Sequence, residues 1–165
     1  MTSKDVLMAQ QFATNEHVVK RGQLYGVLPY THHLERVAKV LERFGYNDPV
    51  LAVAAWLHDV MEDCSIKRKT IEEIFGPDVA DVVWRVTNEK AENRKVRGLL
   101  TYPKIRESAK ATVLKLADRI SNVENGGSLV DMYRNEYEDF RRMLHSDGVC
   151  DDLWSHLDQL LTKKE

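Results

Sequence analysis

The segment at residues 51–63, LAVAAWLHDVMED, constrains the chain more than any other. It opens as an apolar run and then places four ionisable side chains within six residues, namely His58, Asp59, Glu62 and Asp63. On a helix, His58 lies over Glu62 and Asp59 over Asp63. Three carboxylates and an imidazole at the end of a buried helix repel one another unless a cation lies among them, and a divalent metal is the usual one. The ordinary alternative is a solvated helix end.

Two other segments offer metal ligands in apolar helical surroundings. PYTHHLERVA contains His32 and His33, and VLKLADRISN contains Asp118. An aspartate within an apolar stripe is rarely buried unless it is paired or bound to a metal. A salt bridge to Lys115 or Arg119 is the alternative for Asp118. Two imidazoles and two carboxylates, taken together, would form a mixed nitrogen and oxygen site suited to manganese, iron or zinc.

Composition narrows the class of protein. With 165 residues, 43% of them hydrophobic, the chain can form one domain over residues 1–165. A net charge of -2 gives no bias toward nucleic acid or an anionic membrane, and no apolar run approaches the ~18 residues of a membrane span. Cys64 and Cys150 form no metal-binding or redox motif, and the first residues do not resemble a signal peptide. We therefore expect a soluble cytoplasmic protein without nucleic-acid or membrane partners.

Apolar residues recur at helical spacing along the whole chain, and no segment shows a convincing strand pattern. An all-α fold is therefore predicted. Residues 21–28 and 89–103 are interpreted as loops or breaks. The last helices, within residues 128–163, are expected to complete the core, with a homodimer interface as the alternative. Besides the central segment, helices are predicted at about residues 3–20, 29–45, 70–75, 78–88, 104–123, 129–144 and 151–161.

Four motifs occur in a characteristic order between residues 29 and 123. PYTHHLERVA is similar to PYxxHPxxVA, and AAWLHDVMED is similar to ALLHDVVED. TIEEIFGPDVADVVWRVT is similar to TxEEIxxxFGxxVAxLVxGVT, and LKLADRISNV is similar to IKLADRLHNM. The chain thus resembles the HD superfamily of metal-dependent phosphohydrolases, and most closely the alarmone hydrolase domain of RelA/SpoT-type enzymes and small alarmone hydrolases.

The resemblance implies a single HD-domain helical bundle with the metal site between central helices. It also implies Mn²⁺, or another divalent transition metal, as the cofactor. His33 is preferred to His32 because the family histidine lies four residues before a Val-Ala pair. The implied metal ligands are His33, His58, Asp59 and Asp118.

Further roles follow from the same comparison and from the charge of the substrate. The resemblance implies that Glu62 and Asp63 handle the attacking water and that Asn122 lies beside the substrate. The implied reaction is hydrolysis of guanosine 3′,5′-bis(diphosphate) to release pyrophosphate. Cations must meet such a nucleotide, although those of the polar segment could equally belong to a solvated loop. The candidates for this role are Lys20, Arg21, Arg94, Lys95 and Arg97.

The chain departs from the family pattern at several positions. RGQLYGVLP lacks the Arg-Lys pair of GQxRKSGEP, a segment that contacts nucleotide in the family. Leu34, Asn88 and Ser121 replace a family proline, lysine and histidine. Tyr25 or Tyr30 could stack on a purine. Two alternatives therefore stay open: an HD phosphohydrolase acting on another nucleotide, and a non-catalytic nucleotide-binding module.

Overall fold

The computed structural model describes residues 2–127 and 129–162, and helices make up most of them. The prediction of an all-α fold is confirmed. Within the described ranges, no helix is both long enough and apolar enough to cross a membrane. In chain order the helices are α1 (Ser3–Ala13), α2 (Thr31–Arg43), α3 (Pro49–Leu57), α4 (Val60–Asp63), α5 (Arg68–Phe75), α6 (Pro77–Val86), α7 (Arg94–Arg106), α8 (Ala109–Asn125), α9 (Leu129–Asn135), α10 (Tyr137–Leu144) and α11 (Asp151–Thr162).

Helix α8 lies at the centre of the fold. It packs against α2, α3, α6, α7, α9 and α11. Leu114, Leu116 and Ile120 are fully buried, and each contributes about 1.5–3 kcal/mol through burial of its side chain. The Ser108 hydroxyl caps the first turn by accepting from the Ala111 N–H (3.3 Å), and Gly126 ends the helix at φ 75°. Because α8 is surrounded by other helices, polar side chains of those helices can meet at one place along it.

Two further helices meet α8 on the side that carries the candidate ligands. On α2, Leu34, Val37 and Leu41 form a buried stripe. Helix α3 begins where the Asp48 carboxylate accepts from the Val50 N–H (2.8 Å), and its apolar residues are buried. Since α2, α3 and α8 all pack against one another, residues on their facing sides converge.

The segment between α1 and α2 differs from the predicted loop. The structure continues α1 as a π-helix, Thr14–Val19, and then forms a small antiparallel hairpin of Leu24–Tyr25 (β1) and Leu28–Pro29 (β2). Gly26, at φ 64°, supplies the left-handed turn between the two strands. The hairpin tip is apolar and exposed, with Val27 at 93%. A two-residue strand is too short to give an alternating pattern, so the sequence did not predict it.

Several helix boundaries differ from the prediction. Residues 89–103 contain the start of α7, because Asn93 caps that helix by accepting from the Val96 N–H (3.0 Å). The helix continues through Pro103, which was taken as a break. The predicted helix at residues 104–123 is divided at the extended backbone of Ser108, and the one at residues 129–144 is divided at Glu136.

Arg119 of α8 joins the last helices to the centre. Arg119 is only 3% exposed, and its Nη1 lies 2.6 Å from Glu136 Oε1. It also lies over the rings of Tyr133 and Phe140, at 4.5 and 4.2 Å from the ring centroids. An ion pair and two cation–π contacts account for this charge in the interior. The sequence offered a salt bridge from Asp118 to Lys115 or Arg119. Because Arg119 pairs with Glu136, the salt bridge between Asp118 and Arg119 is not formed.

Candidate active site

Two imidazoles and one carboxylate from three helices meet in the interior. His33 of α2, His58 at the end of α3 and Asp118 of α8 each place one ligand atom within 4.8 Å of the others. His33 Nε2 lies 3.3 Å from Asp118 Oδ1, and His58 Nε2 lies 3.9 Å from the same oxygen. Both imidazoles are buried. The sequence predicted all three residues, and the packing of α2, α3 and α8 brings them together.

Asp59 lies beside this cluster, in the turn between α3 and α4. Its Oδ2 is 3.0 Å from His58 Nε2 and 3.7 Å from His33 Nε2, although it lies outside the mutual 4.8 Å reach of the other three groups. The Tyr30 hydroxyl donates a hydrogen bond to the same oxygen at 2.6 Å. Tyr30, at the start of α2, therefore fixes the Asp59 carboxylate, and its ring is not presented for stacking on a base.

The hydrogen bonds of His58 fit a metal ligand. Its Nδ1–H donates to the Ala55 carbonyl at 2.9 Å, which directs Nε2 toward the carboxylates. Within the described part of the chain, this buried Nε2 has no hydrogen-bond partner of acceptable geometry. Ligating histidines commonly donate their other nitrogen to a backbone carbonyl, and an unpartnered buried nitrogen calls for an explanation. The donor set of two imidazoles and two carboxylates fits a divalent transition metal.

The charges within the cluster are strongly coupled. Burial opposes charging of His58, but the carboxylates of Asp59 and Asp118 prevail and raise the pKa of His58 to about 9. Burial likewise opposes ionisation of Asp118, yet Lys115 and the two imidazoles lower the pKa of its carboxyl well below the usual range. Without a metal, His58 is therefore protonated and positively charged at neutral pH, and Asp118 is ionised.

This protonation predicts pH-dependent metal binding. Below about pH 9 a metal must displace the proton of His58, so the apparent affinity is expected to rise about tenfold per pH unit between about pH 6 and pH 8. Calorimetric titration with Co²⁺, in buffers of different ionisation enthalpy, should show about one proton released per metal. His32→Ala, next to a candidate ligand but outside the cluster, serves as the control. An affinity that stays constant with pH would contradict the prediction.

The acid pair of α4 lies next to the cluster and is held by two different elements. Glu62 accepts hydrogen bonds from Asn88, at 3.2 Å from its backbone nitrogen and 3.0 Å from its side-chain nitrogen. Asp63 Oδ2 accepts from Gln23 Nε2 at 2.8 Å. Burial and the neighbouring Asp59 charge raise the pKa of Asp63. A carboxylate with raised proton affinity is suited to accept a proton from water.

Asn122 has both ends of its amide engaged. Its nitrogen donates to Asp118 Oδ1 at 2.7 Å, and its oxygen accepts from the Tyr25 hydroxyl at 2.8 Å. The Tyr25 ring stacks on His33 with 4.9 Å between the ring centroids. Contact between Asn122 and substrate stays a prediction, since the structure connects this residue to the ligands and to the hairpin.

Most of the predicted substrate-binding cations have acidic partners. Lys20 and Arg21 both meet Glu16, and the side chain of Arg94 lies 2.6 Å from Glu136. Lys95 is exposed. Their contact with substrate stays a prediction.

Two cations also lie near the cluster: Arg97, one of the phosphate-binding candidates, and Lys115, which the sequence offered only as a salt-bridge partner of Asp118. Lys115 Nζ lies 3.0 Å from Asp118 Oδ2, so the salt bridge considered for Asp118 does form. Lys115 and Arg97 line a small cavity of about 30 Å³ that also includes Asn88. The sequence signal for Lys115 was its position one helical turn before Asp118. No sequence pattern predicted that α7, which carries Arg97, packs at this place.

Comparisons with known proteins agree with this arrangement. A family profile described as HD domain matches residues 9–126. The chain is 34% identical over 122 residues to the guanosine-3′,5′-bis(diphosphate) 3′-pyrophosphohydrolase MESH1 of Xenopus tropicalis, covering 73% of this chain and 68% of that protein. It is 32% identical over 117 residues to MESH1 of Drosophila melanogaster, covering 70% and 65%.

A solved structure shares the fold over nearly the whole length. It is described as a metazoan ortholog of SpoT that hydrolyses ppGpp and plays a role in starvation responses. The match has a TM-score of 0.80 and 27% identity, and it covers 97% of this chain and 95% of the other. The alignments with the MESH1 proteins span about two thirds of their length. The chain therefore belongs to the HD domain family, in the group that contains the RelA/SpoT-type and small alarmone hydrolases.

Proposed function

We propose that this protein is a manganese-dependent pyrophosphohydrolase that removes the 3′-pyrophosphate of guanosine 3′,5′-bis(diphosphate). The observation that carries the proposal is the buried cluster of two imidazoles and Asp118 with a paired acid motif beside it. Similar proteins that bear the name of this activity support it. In this proposal the metal ligands are His33, His58, Asp59 and Asp118.

The residues divide the reaction between them. His33, His58, Asp59 and Asp118 would hold a divalent metal, which would supply Lewis-acid chemistry by making water more acidic and offsetting charge on phosphate oxygens. Asp63 accepts the proton of the attacking water, and Glu62, held by Asn88, orients that water. The oxygen of the attacking water forms a new bond to the phosphorus that is attached to the ribose 3′ oxygen. The bond between that phosphorus and the 3′ oxygen breaks. The 3′ oxygen takes up a proton, and pyrophosphate leaves.

Cations near Asp118 would meet the phosphates. Lys115 and Arg97 border one cavity next to the cluster, and Lys95 lies exposed on α7. Ionised phosphate oxygens form stronger hydrogen bonds to such groups than neutral acceptors do. The other candidates, Lys20, Arg21 and Arg94, would have to exchange an existing carboxylate partner for phosphate.

The test is pyrophosphate release from ppGpp by metal-stripped protein. We expect no turnover without metal and turnover on addition of Mn²⁺, with Mg²⁺, Zn²⁺ and Fe²⁺ compared in parallel. Metal content per chain is measured on the same samples. No release of pyrophosphate with about one Mn²⁺ bound per chain would reject the alarmone as substrate while leaving the metal site intact.

One observation favours a second candidate, an HD phosphohydrolase that acts on another nucleotide. The hairpin that replaces the family's basic segment carries no charge from residue 22 to residue 30. A panel of nucleoside phosphates assayed with the same metal would separate the two candidates. A non-catalytic nucleotide-binding module is disfavoured, because the four ligands and the acid pair are all present. We further propose that the protein acts in the cytoplasm as one domain, and that any self-association is a homodimer.

A further inference from the structure

Gln23 donates a hydrogen bond to Asp63, the proposed proton acceptor, and is itself fixed at four points. Its backbone N–H donates to the His17 carbonyl (2.9 Å), and its carbonyl accepts from the Tyr30 N–H (3.0 Å). Its side-chain oxygen lies 2.7 Å from His17 Nδ1, and its side-chain nitrogen donates to Asp63 Oδ2 (2.8 Å). The amide of Gln23 thus has little freedom to turn away from Asp63.

The hydrogen-bond network assigns the proton on His17. The Asp63 carboxylate requires a donor, so the amide nitrogen of Gln23 faces it and the amide oxygen faces His17. Because an amide oxygen only accepts, His17 Nδ1 must carry hydrogen. The imidazole is 0% exposed and stacks on Tyr30, with 4.7 Å between the ring centroids. A buried ring with a defined tautomer therefore sets the orientation of the Gln23 amide.

Two consecutive polar residues of the π-helix are buried here. Glu16 and His17 both lie within Thr14–Val19 and are both buried. Glu16 lies 3.2 Å from Arg21, whose guanidinium donates to the Cys64 carbonyl at 2.6 Å. Neighbouring residues of the π-helix thus support neighbouring residues at the end of α4. Wide helical turns of this kind are rare and occur frequently at functional sites.

We infer that His17 and Gln23 are positioning residues that hold the Asp63 carboxylate in the orientation needed to accept the proton of the attacking water. Neither residue needs to touch the substrate, since His17 acts through Gln23 and Gln23 acts through Asp63. This inference rests on the proposed function, in which Asp63 is the proton acceptor.

The test replaces the donor while keeping the volume of the side chain. Gln23→Met is expected to lower kcat about ten- to a hundredfold, with KM within about twofold of wild type and the metal content unchanged. The acid limb of the kcat profile should move to higher pH, because loss of a donated hydrogen bond raises the pKa of Asp63. The other titratable groups near Asp63 are Asp59, Glu62 and His17, and all three stay in place.

His17 is tested with a conservative pair of variants. The amide nitrogen of His17→Asn can replace Nδ1–H, so this variant should keep more of kcat than His17→Leu. Gln11→Ala, an exposed glutamine of α1, is the matched control and should leave activity and pH profile unchanged. A purely structural role would lower the melting temperature of these variants without moving the acid limb.

The outcomes separate this inference from the proposed function. Wild-type protein that releases pyrophosphate, together with Gln23→Met that keeps wild-type kcat and acid limb, would overturn the positioning role alone. Wild-type protein that hydrolyses another nucleotide and not ppGpp would overturn the proposed substrate. In that case the same comparison of variants, made with the nucleotide that is hydrolysed, decides the role of Gln23.

Discussion

Asp59→Ala is expected to abolish pyrophosphate release and metal retention together. The Asp59 carboxylate contacts both imidazoles of the cluster, at 3.0 and 3.7 Å, so its removal takes away a ligand and a negative charge. It also leaves the Tyr30 hydroxyl without its acceptor. The loss of kcat should exceed about a thousandfold, which corresponds to about 4 kcal/mol of transition-state stabilisation.

The measurement combines turnover with metal content after gel filtration. Asp147→Ala is the matched control, because the side chain of Asp147 is fully exposed. Asp59→Asn is a second variant that preserves shape and can still accept from Tyr30, and it should lose metal affinity through loss of charge alone. Undiminished hydrolysis by Asp59→Ala would reject the ligand assignment and with it the proposed metal centre.

Asp63→Asn is expected to lower kcat by about 10²–10⁴-fold while the protein keeps its metal, because the proton acceptor is lost and no ligand is. The folded protein should not lose stability. Partial desolvation and the Asp59 charge raise the pKa of Asp63 in the folded state, so the ionised carboxylate slightly destabilises the fold at neutral pH, an effect that solvent keeps small because the residue is exposed. The neutral amide removes that effect, and the melting temperature at neutral pH should equal or exceed that of wild type.

The comparison with Asp59 makes this prediction specific. Asp59→Ala should lose metal and turnover together, whereas Asp63→Asn should lose turnover only. Glu62→Gln belongs in the same series, since Asn88 holds that side chain as Gln23 holds Asp63. Turnover by Asp63→Asn within about tenfold of wild type would transfer the role of proton acceptor to Glu62.

The residues of the cluster could be predicted because local spacing determines much of their placement. His58 and Asp59 are adjacent, and Asp118 lies in an apolar stripe where an unpaired carboxylate would be costly. Periodicity alone predicted the helices around them. The family histidine, which lies four residues before a Val-Ala pair, then indicated which of two neighbouring histidines faces the cluster, and the structure places His33 there.

The supporting contacts could not be predicted, because they connect residues far apart in sequence. Gln23 and Asp63 are 40 positions apart, and Arg94 and Glu136 are 42 apart. No local pattern shows that Glu136 pairs with Arg94, so the ion pair of this predicted phosphate ligand could not be foreseen. The π-helix likewise gives no signal, since it differs from the preceding α-helix only in the partner of each backbone N–H.

The uncharged hairpin has a consequence for how a polyanionic substrate would first meet the protein. Electrostatic steering raises association rates when unpaired cations surround the entrance to a site, and it weakens beyond a Debye length of about 8 Å at physiological ionic strength. No residue from 22 to 30 is charged, and the single carboxylate of Glu16 offsets part of the charge of Lys20 and Arg21. With a net charge of -2 on the whole chain, long-range attraction of a nucleotide would depend on local cations, among them Lys95 and Arg97 of α7. Capture through the hairpin side would instead depend on diffusion and on short-range contact with an apolar edge.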